Sequence, residues 1–423
     1  MGPITLFDKS FLQSLSVDES VFFDHFFYTA ICPVFFVETL ADLEKAVREG
    51  RTPEQEVGII ARKVPELAGM PLMYHAGLVL GNLMGKPIPM DGRIMTPGGT
   101  PVKFEGKSGV RHEVPPEAEA FSRWQKGEFL HLERLYAKAW REQLANTDLL
   151  AVAAGIKAMG IDPRTCKSLE EAKGIADAFV RNVEGVPDRI RLALVLLNIP
   201  NRREAEIIER WRANGSRPLA QHAPYAAYVL AVELFFQIAL GAQLIGTSRA
   251  SNRVDIAYMF YLPFCQVFVS SDTLHQRCAP LFLRQDQSFV WGLNLKTDLQ
   301  RLIDYYSRLP DEQKEQGLYK MAPVPPTDLE GSLVVHLWDQ HLMSVWRSRS
   351  GAAPPLDEAR DAEILDHLKR FSDAPVAAPG EADFDPQDAE MVQVHRRVHK
   401  RKGSWWQLPK DLKEEAGHDP TGE

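Results

Sequence analysis

Two aspartates bracket a segment in which an apolar helical pattern is followed by a strand candidate. Asp255 opens the helical pattern, and the strand candidate at 267–269 runs directly into Ser270 and Asp272. Ligands of an open parallel sheet lie outside the carboxyl ends of its strands, so Asp272 would point into such a site and Asp255 would lie at the same edge. Two neighbouring carboxylates repel each other unless a cation lies between them, and hard divalent cations prefer oxygen ligands. The pair therefore predicts half of a metal site.

The N-terminal region supplies candidates for the other half. A strand candidate at 4–7 ends in Asp8, and an apolar run at 32–37 leads into Glu38, with Asp42 one helical turn further on the same face. Each acid also has a structural interpretation. Asp8 is a good helix N-cap, and Glu38 is an acid of the kind favoured in the first turn of a helix.

In their order and spacing these positions resemble the PIN-domain nucleases, a family of toxin–antitoxin ribonucleases and RNA-processing endonucleases. That family places an Asp after its first strand, a Glu on an early helix, a third acid at the start of a late helix and a fourth in a Thr/Ser-x-Asp turn. The matching residues here are Asp8, Glu38, Asp255 and Asp272, with Ser270 at the Thr/Ser position. The chain departs from the compact family in the long stretch between the second and third acids.

The resemblance implies an α/β fold, a three-layer α/β/α sandwich with a central, mostly parallel PIN-like sheet interrupted by a large, mainly helical insertion. It further implies a divalent-metal-dependent phosphodiesterase, an endonuclease for which RNA is favoured over DNA as the substrate. The four acids would hold Mg²⁺ or Mn²⁺, with Asp272 orienting the attacking water and Ser270 supporting it. The alternative is a catalytically inactive PIN-like scaffold that binds nucleic acid or protein.

Two further residues have two interpretations each. Glu233 lies at the centre of the apolar run 223–246, where an ionised carboxylate must be paired or neutralised. It would be either a fifth acid of the site or the partner of a buried arginine such as Arg253. Because a charge at mid-bilayer is costly, the run is predicted to be a core helix and not a membrane span. His275 would contact a phosphate or make a structural hydrogen bond.

The chain divides into three predicted parts. The PIN-like core takes residues 1–46 and 222–310, and the helical insertion takes 47–221, with a small β element in the Gly- and Pro-punctuated stretch 85–114. We expect the insertion to cover the carboxyl edge of the sheet. A C-terminal extension, 311–423, contains an acidic Pro/Ala-rich linker expected to be flexible.

The extension ends in a basic, tryptophan-containing tail. This composition suits phosphate contact and base stacking, while the alternative is that the tryptophans dock on the body of the protein. The candidate nucleic-acid-binding residues are Arg396, Arg397, Lys400, Arg401, Lys402, Trp405 and Trp406.

Bulk composition sets the remaining expectations. The formal net charge of −8 argues against a chain that coats nucleic acid over its whole surface, so any such contact needs a local basic patch. Four cysteines without a CxxC pair predict buried, reduced thiols, and the N-terminus lacks a basic leader, so a cytoplasmic protein is expected. A homo-oligomer or a protein partner bound through the insertion stays open.

Overall fold

A computed structural model describes the chain over most of its length. The described residues are 2–45, 50–66, 69–104, 107–111, 115–158, 162–183, 187–349, 363, 366–367, 369–371, 373–377 and 401–410.

The strands form one five-stranded sheet and two hairpins. They are β1 (Ile4–Phe7), β2 (Tyr28–Ile31), β3 (Gly69–Pro71), β4 (Thr100–Phe104), β5 (Lys107–Arg111), β6 (Val267–Ser270), β7 (Ser288–Trp291), β8 (Arg401–Lys402) and β9 (Trp405–Trp406). The large sheet has the order β3-β2-β1-β6-β7, and all of its pairings are parallel.

Helices account for most of the remaining described chain. They are α1 (Lys9–Ser14), α2 (Val17–Phe26), α3 (Pro33–Leu40), α4 (Pro53–Ala61), α5 (His75–Leu83), α6 (Pro116–Gln125), α7 (His131–Ala145), α8 (Leu149–Ala158), α9 (Leu169–Arg181), α10 (Pro187–Leu196), α11 (Asn201–Ala213), α12 (Leu219–His222), α13 (Pro224–Gly241), α14 (Asn252–Tyr258), α15 (Thr273–Cys278), α16 (Gly292–Ser307), α17 (Asp311–Lys314), α18 (Leu318–Met321) and α19 (Leu333–His341). The protein is therefore α/β with a parallel central sheet, an arrangement consistent with the predicted three layers.

The two predicted strands that carry aspartates are confirmed and lie side by side at the centre of the sheet. Leu6 of β1 is paired with Phe268 of β6, and both side chains are fully buried. Continuous apolar runs of this kind are typical of strands covered on both faces. The strand order reverses between β1 and β6, because β2 and β3 continue on one side and β7 on the other. This point of reversal is where open α/β sheets collect ligands.

The third strand of the sheet lies inside the stretch that the sequence assigned to the insertion. β3 is only Gly69-Met70-Pro71, and it pairs with β2 at the edge of the sheet. Glycine and proline are depleted in strands, and proline is tolerated mainly at edges, so the local sequence gives no strand signal here. The central sheet thus draws on residues within 47–221, and the predicted boundary at 46/47 is corrected. The same stretch contains the antiparallel hairpin β4–β5.

The long apolar helix α13 packs inside the protein. Most of its side chains are buried, and its neighbours include α5, α8 and α9. Among the described residues it is the one helix long and apolar enough to cross a membrane, and its burial agrees with the predicted core helix. The four thiols are all buried and unbridged.

The insertion contacts the sheet both at the carboxyl ends and at the amino ends of its strands. On one side, Arg141 of α7 donates a hydrogen bond to Asp42, which follows α3 near the carboxyl edge. On the other side, the backbone N–H of Gly92 donates to the carbonyl of Pro263, just before the amino end of β6. Part of the insertion therefore lies at the carboxyl edge, where the cap was expected, and another part lies at the opposite edge.

The basic tail is described only in part. The tail residues outside the described chain are Arg396, Arg397 and Lys400. Arg401 is exposed, and its guanidinium lies 5.3 Å from the ring centre of Trp406. A role for these two residues in contacting nucleic acid stays a prediction.

The rest of the tail hairpin is docked on the protein, as the structural alternative anticipated. Lys402 is buried, and its Nζ donates to the carbonyl of Val64 at 3.1 Å. Trp405 is also buried and meets the ring of Phe22 edge-on at 4.9 Å. Neither side chain is presented to a ligand in this conformation.

The turn of this hairpin requires a glycine for two separate reasons. Gly403 has φ +57°, and a Cβ built on it would lie 2.0 Å from Oδ1 of Asp18. The same oxygen accepts a 2.7 Å hydrogen bond from the backbone N–H of Ser404, so Asp18 cannot retreat without losing that bond. The close approach therefore fixes how the C-terminal hairpin sits on α2.

Gly403→Ala should lower the free energy of unfolding by about 1–3 kcal/mol more than Gly98→Ala. Gly98 is the matched control because it has φ +70° and, its chain neighbours apart, no atom of the described residues lies within 4 Å of a built Cβ, so both variants share the cost of a left-handed alanine. Urea denaturation of the three proteins measures the difference. Equal losses would mean that the hairpin docks without depending on this contact.

Candidate active site at the carboxyl edge of the sheet

Asp8 is held from several sides where β1 ends. It is the N-cap of α1, and its Oδ1 accepts the backbone N–H of Phe11 at 2.9 Å. Its Oδ2 accepts the hydroxyl protons of Ser10 at 2.6 Å and of Ser270 at 2.7 Å. The N-cap interpretation of Asp8 is therefore confirmed, and the residue is 3% exposed.

His275 completes a buried hydrogen-bonded node with Asp8 and Ser270. Its Nε2 lies 2.6 Å from the carbonyl oxygen of Asp255, and a carbonyl can only accept, so Nε2 carries a proton. Its Nδ1 lies 2.7 Å from Oγ of Ser270 and 3.5 Å from Oδ2 of Asp8. The structural hydrogen bond is thus the interpretation of His275 that the geometry supports.

The number of protons available at Ser270 fixes the charge of His275. Oγ of Ser270 accepts the backbone N–H of Asp272 at 2.9 Å, and its single proton goes to the carboxylate of Asp8. Nδ1 of His275 must then donate to Oγ, because that hydroxyl has no second proton to give. Both ring nitrogens carry protons, and His275 is an imidazolium paired with Asp8.

The ionisation of the two partners follows from this pairing. Burial alone would lower the pKa of His275, but the hydrogen bond and negative charge of Asp8 raise it to about 9. Burial would raise the pKa of Asp8, but the hydrogen bond and charge of His275, with Ser10 and the Phe11 N–H, hold it below its usual value. Each group keeps the other charged.

Glu38 and Asp42 meet a second cation, Lys9, beside this node. Nζ of Lys9 donates to the backbone carbonyl of Glu38 at 3.0 Å and pairs with Asp42 at 2.6 Å. Oε2 of Glu38 accepts the hydroxyl of Tyr258 at 2.8 Å. Burial raises the pKa of Glu38, opposed by the charge of Lys9 and the hydrogen bond of Tyr258. Asp42 is 4% exposed and forms ion pairs with Lys9 and Arg141, so its role here is structural.

Asp255 is the acid whose charge is least compensated. It is 8% exposed, and its Oδ2 is buried with no hydrogen-bond partner among the described residues. Burial raises its pKa to about 7; His275 and Arg249 oppose the shift, while Asp272 and Glu38 add to it. Burial is thus the main cause of the raised pKa of Asp255, repulsion by neighbouring acids adds to it as it does at Glu38, and the pKa of Asp8 is lowered instead.

Asp272 caps α15 and faces an arginine. Its Oδ1 accepts the backbone N–H of Leu274 at 2.7 Å, which makes it the N-cap of that helix. Its Oδ2 lies 3.6 Å from Nη2 of Arg249, and the same nitrogen lies 3.9 Å from Oδ2 of Asp255. One guanidinium thus approaches two of the four predicted site acids.

Glu233 is paired away from these acids. Arg253 of α14 donates to its Oε1, which was one of the two alternatives for this residue, and the fifth-acid alternative finds no support. The guanidinium of Arg253 also lies about 6.0 Å and 5.9 Å from the ring centres of Phe236 and Phe260.

Sequence reasoning missed the hydrogen-bond donor and most of the cations that partner the site acids. Tyr258 lies three residues after Asp255 on one helix face, so helical spacing could have identified it. Lys9 directly follows Asp8, but nothing in its neighbourhood indicates that it turns towards Asp42. Arg249 and Arg141 come from a loop and from the insertion, and no spacing rule connects either to the acids.

The donor set at this edge has the chemistry of a site for a hard divalent cation, although it is not preorganised as one. Its potential ligands are carboxylate oxygens, which Mg²⁺ and Mn²⁺ prefer, and Oδ2 of Asp255 is a buried oxygen to which no described residue donates a hydrogen bond. Within the described chain, no three His, Cys, Asp or Glu side chains are grouped closely enough to hold a metal ion. Binding would require the side chains of Glu38, Asp255 and Asp272 to turn towards the ion.

Comparisons with protein-family models, curated proteins and solved structures returned no match to this chain.

Asp255→Asn should stabilise the metal-free protein, and the gain should depend on pH. A folded-state pKa raised from 3.8 to about 7 means that the ionisation of Asp255 costs stability progressively as pH rises through that window. At about 1.4 kcal/mol per pKa unit, the variant should gain up to about 4 kcal/mol over wild type between pH 4 and pH 8. Urea unfolding in EDTA at several pH values measures this.

Asp148→Asn is a suitable control for that measurement, since Asp148 is an exposed acid that accepts the backbone N–H groups of Leu150 and Ala151. Parallel pH profiles for wild type and Asp255→Asn would show that Asp255 ionises normally and does not meet the other acids.

His275 should carry protons on both ring nitrogens at pH 7.5. Its folded-state pKa of about 9 exceeds the usual 6.5, so its contribution to stability is present below pH 6.5 and is lost as pH rises through 9. Long-range ¹⁵N-edited NMR, with His275→Asn for assignment, reports the state of each nitrogen. His75, whose pKa burial lowers to about 4, provides the neutral reference in the same spectrum. A neutral ring at position 275 would refute the proton assignment.

Proposed function

We propose that this protein is a divalent-metal-dependent phosphodiesterase of the PIN-like type, an endonuclease that acts on RNA in preference to DNA. The observation that carries the proposal is the position of the acids. Asp8 and Asp272 follow the adjacent strands β1 and β6, where the strand order reverses, and Asp255 brings to the same edge a carboxylate oxygen that accepts no hydrogen bond from the described residues. Ligand sites of open α/β sheets lie at this reversal point.

The residues have distinct roles in this proposal. Glu38, Asp255 and Asp272 would hold Mg²⁺ or Mn²⁺, while Asp8, whose charge is matched by His275, would hold Ser270 in place at the back of the site. A bound divalent ion would supply neutralisation of charge at the reacting phosphate. Asp272 would orient the attacking water through its Oδ2, because its Oδ1 is committed to the cap of α15. Ser270 would keep Asp272 in place through the bond from the Asp272 N–H.

The choice of RNA follows from the resemblance to PIN nucleases and from the four-acid pattern. Arg401 and Trp406 of the tail hairpin, an exposed cation over an aromatic ring, have the composition of a strand-binding contact. They would bind the nucleic acid outside the acidic edge, which itself repels phosphate until a cation is bound.

A binding scaffold without catalysis is the second candidate, and a specific observation favours it. Three of the acids already have a cation of the protein beside them: Asp8 pairs with His275, Asp42 with Lys9, and Asp272 faces Arg249. An edge neutralised in this way can be stable without any metal. Melting curves with EDTA and with Mn²⁺ separate the candidates, since a ligand that binds only the native state raises its stability.

Asp272→Asn should reduce Mg²⁺- or Mn²⁺-dependent cleavage by about 10²- to 10⁴-fold, the range attributed to a positioned proton acceptor. The fold should persist, because asparagine caps a helix about as well as aspartate. Cleavage of matched single-stranded RNA and DNA oligonucleotides, followed on gels, measures the rate and the substrate preference.

Asp148→Asn is again the matched control, because it makes the same chemical change at an exposed acid that bonds backbone N–H groups at the start of α8. Undiminished cleavage by Asp272→Asn, or by wild-type protein in EDTA, would remove the nuclease assignment and leave the scaffold.

A further inference from the structure

Within the part of the chain that the structure describes, Arg249 is the cation that approaches two of the site acids without being hydrogen-bonded to either. Its Nη2 lies 3.6 Å from Asp272 and 3.9 Å from Asp255, beyond the usual 2.7–3.2 Å of an N–H···O hydrogen bond. Its Nε donates to the hydroxyl of Ser251 at 2.8 Å instead. The guanidinium is thus anchored to its own loop and offers the carboxylates charge alone.

The oxygen that Arg249 approaches on Asp255 is the atom left without a partner. Oδ2 of Asp255 is buried, and among the described residues it makes no hydrogen bond. A buried carboxylate oxygen is ordinarily satisfied, and one that is not needs a ligand, a proton or a cation. Arg249 supplies a distant positive charge and leaves this requirement unmet.

The side chain of Arg249 has room to move away from the two carboxylates. It is 61% exposed and belongs to the loop 242–251, between α13 and α14, where Gln243 takes a positive φ of 60°. Its distances of 3.6 and 3.9 Å to the two mostly buried carboxylates are longer than hydrogen bonds, and the exposed guanidinium can be hydrated when it moves, so its displacement costs little. By contrast, Arg253 nearby is hydrogen-bonded to Glu233.

We propose that Arg249 is a displaceable internal cation, which partly neutralises Asp255 and Asp272 in the metal-free protein and must move away when a divalent ion binds between them. The inference rests on the proposed metal site and adds its regulation: the arginine competes with the ion for the same two carboxylates. Arg249 is therefore a competitor that lowers the affinity of the two carboxylates for the metal. It does not itself bind the ion.

Arg249→Ala should bind Mn²⁺ about two- to fivefold more tightly than wild type, the range expected for loss of a weak competing ion pair. Free Mn²⁺ measured by electron paramagnetic resonance during titration of the full-length protein gives the affinity without any activity assay. Arg277→Ala is the matched control, since Arg277 is an exposed cation near the same loop that bonds to the carbonyl of Leu244. Arg249→Gln repeats the charge loss at similar side-chain length.

The outcomes separate this inference from the proposed function. Tighter binding by both Arg249 variants but not by Arg277→Ala supports competition, as does Mn²⁺ binding seen only in the Arg249 variants. Equal tightening in Arg277→Ala would reduce the effect to overall charge and overturn the inference. Mn²⁺ binding by wild type that is unchanged or weakened in Arg249→Ala would overturn the inference and leave the metal site standing. Absence of Mn²⁺ binding in every protein would overturn both.

Discussion

The charged pair of Asp8 and His275 is the contact through which the elements of the acidic edge are joined. Asp8 caps α1 at the end of β1, and His275 reaches from α15 to the backbone carbonyl of Asp255 in α14, with Ser270 at the end of β6 between them. Four segments from two distant parts of the sequence thus share one buried network. Buried ion pairs stabilise a fold only when their remaining polar atoms are satisfied, and here serine and backbone groups satisfy them.

This pairing divides the acids at the edge into two kinds. Asp8 and Asp42 are buried and matched by protein cations, so their charge is part of the architecture. Asp255 and Glu38 are raised in pKa mainly by burial, and Asp272 faces an arginine across a gap. The acids of the second kind are therefore the candidates for binding a ligand. The acids of the first kind hold the strands and helices of the edge together.

The sequence could predict the parts of this arrangement that depend on local apolar runs. β1, β6 and α13 have continuous apolar stretches, and the acids that follow or begin such elements were correctly expected at one edge. β3 was not predicted, because Gly-Met-Pro is a poor strand sequence that forms a strand only by pairing with β2. The cations that pair with the acids could not be predicted either, because these pairings also depend on tertiary contacts. Whether Asp8 repels its neighbours or pairs with His275 depends on a contact between residues far apart in sequence, and no period or cap motif encodes that contact.

The pairing of β1 with β6 has a consequence for how the chain is made. The hydrogen bond between Ser270 and Asp8 joins residues separated by 262 positions, and the central strand pair of the sheet has the same long span. At a synthesis rate of about 5–20 residues per second, β1 emerges roughly 13–50 s before its partner exists. During that interval one edge of β1, with Leu6 and Phe7, has no native strand beside it, and such edges invite pairing with other chains. The unpaired edge of β1 is thus exposed for as long as the ribosome needs to reach β6. The acidic edge can assemble only once β6 and α15 have been synthesised.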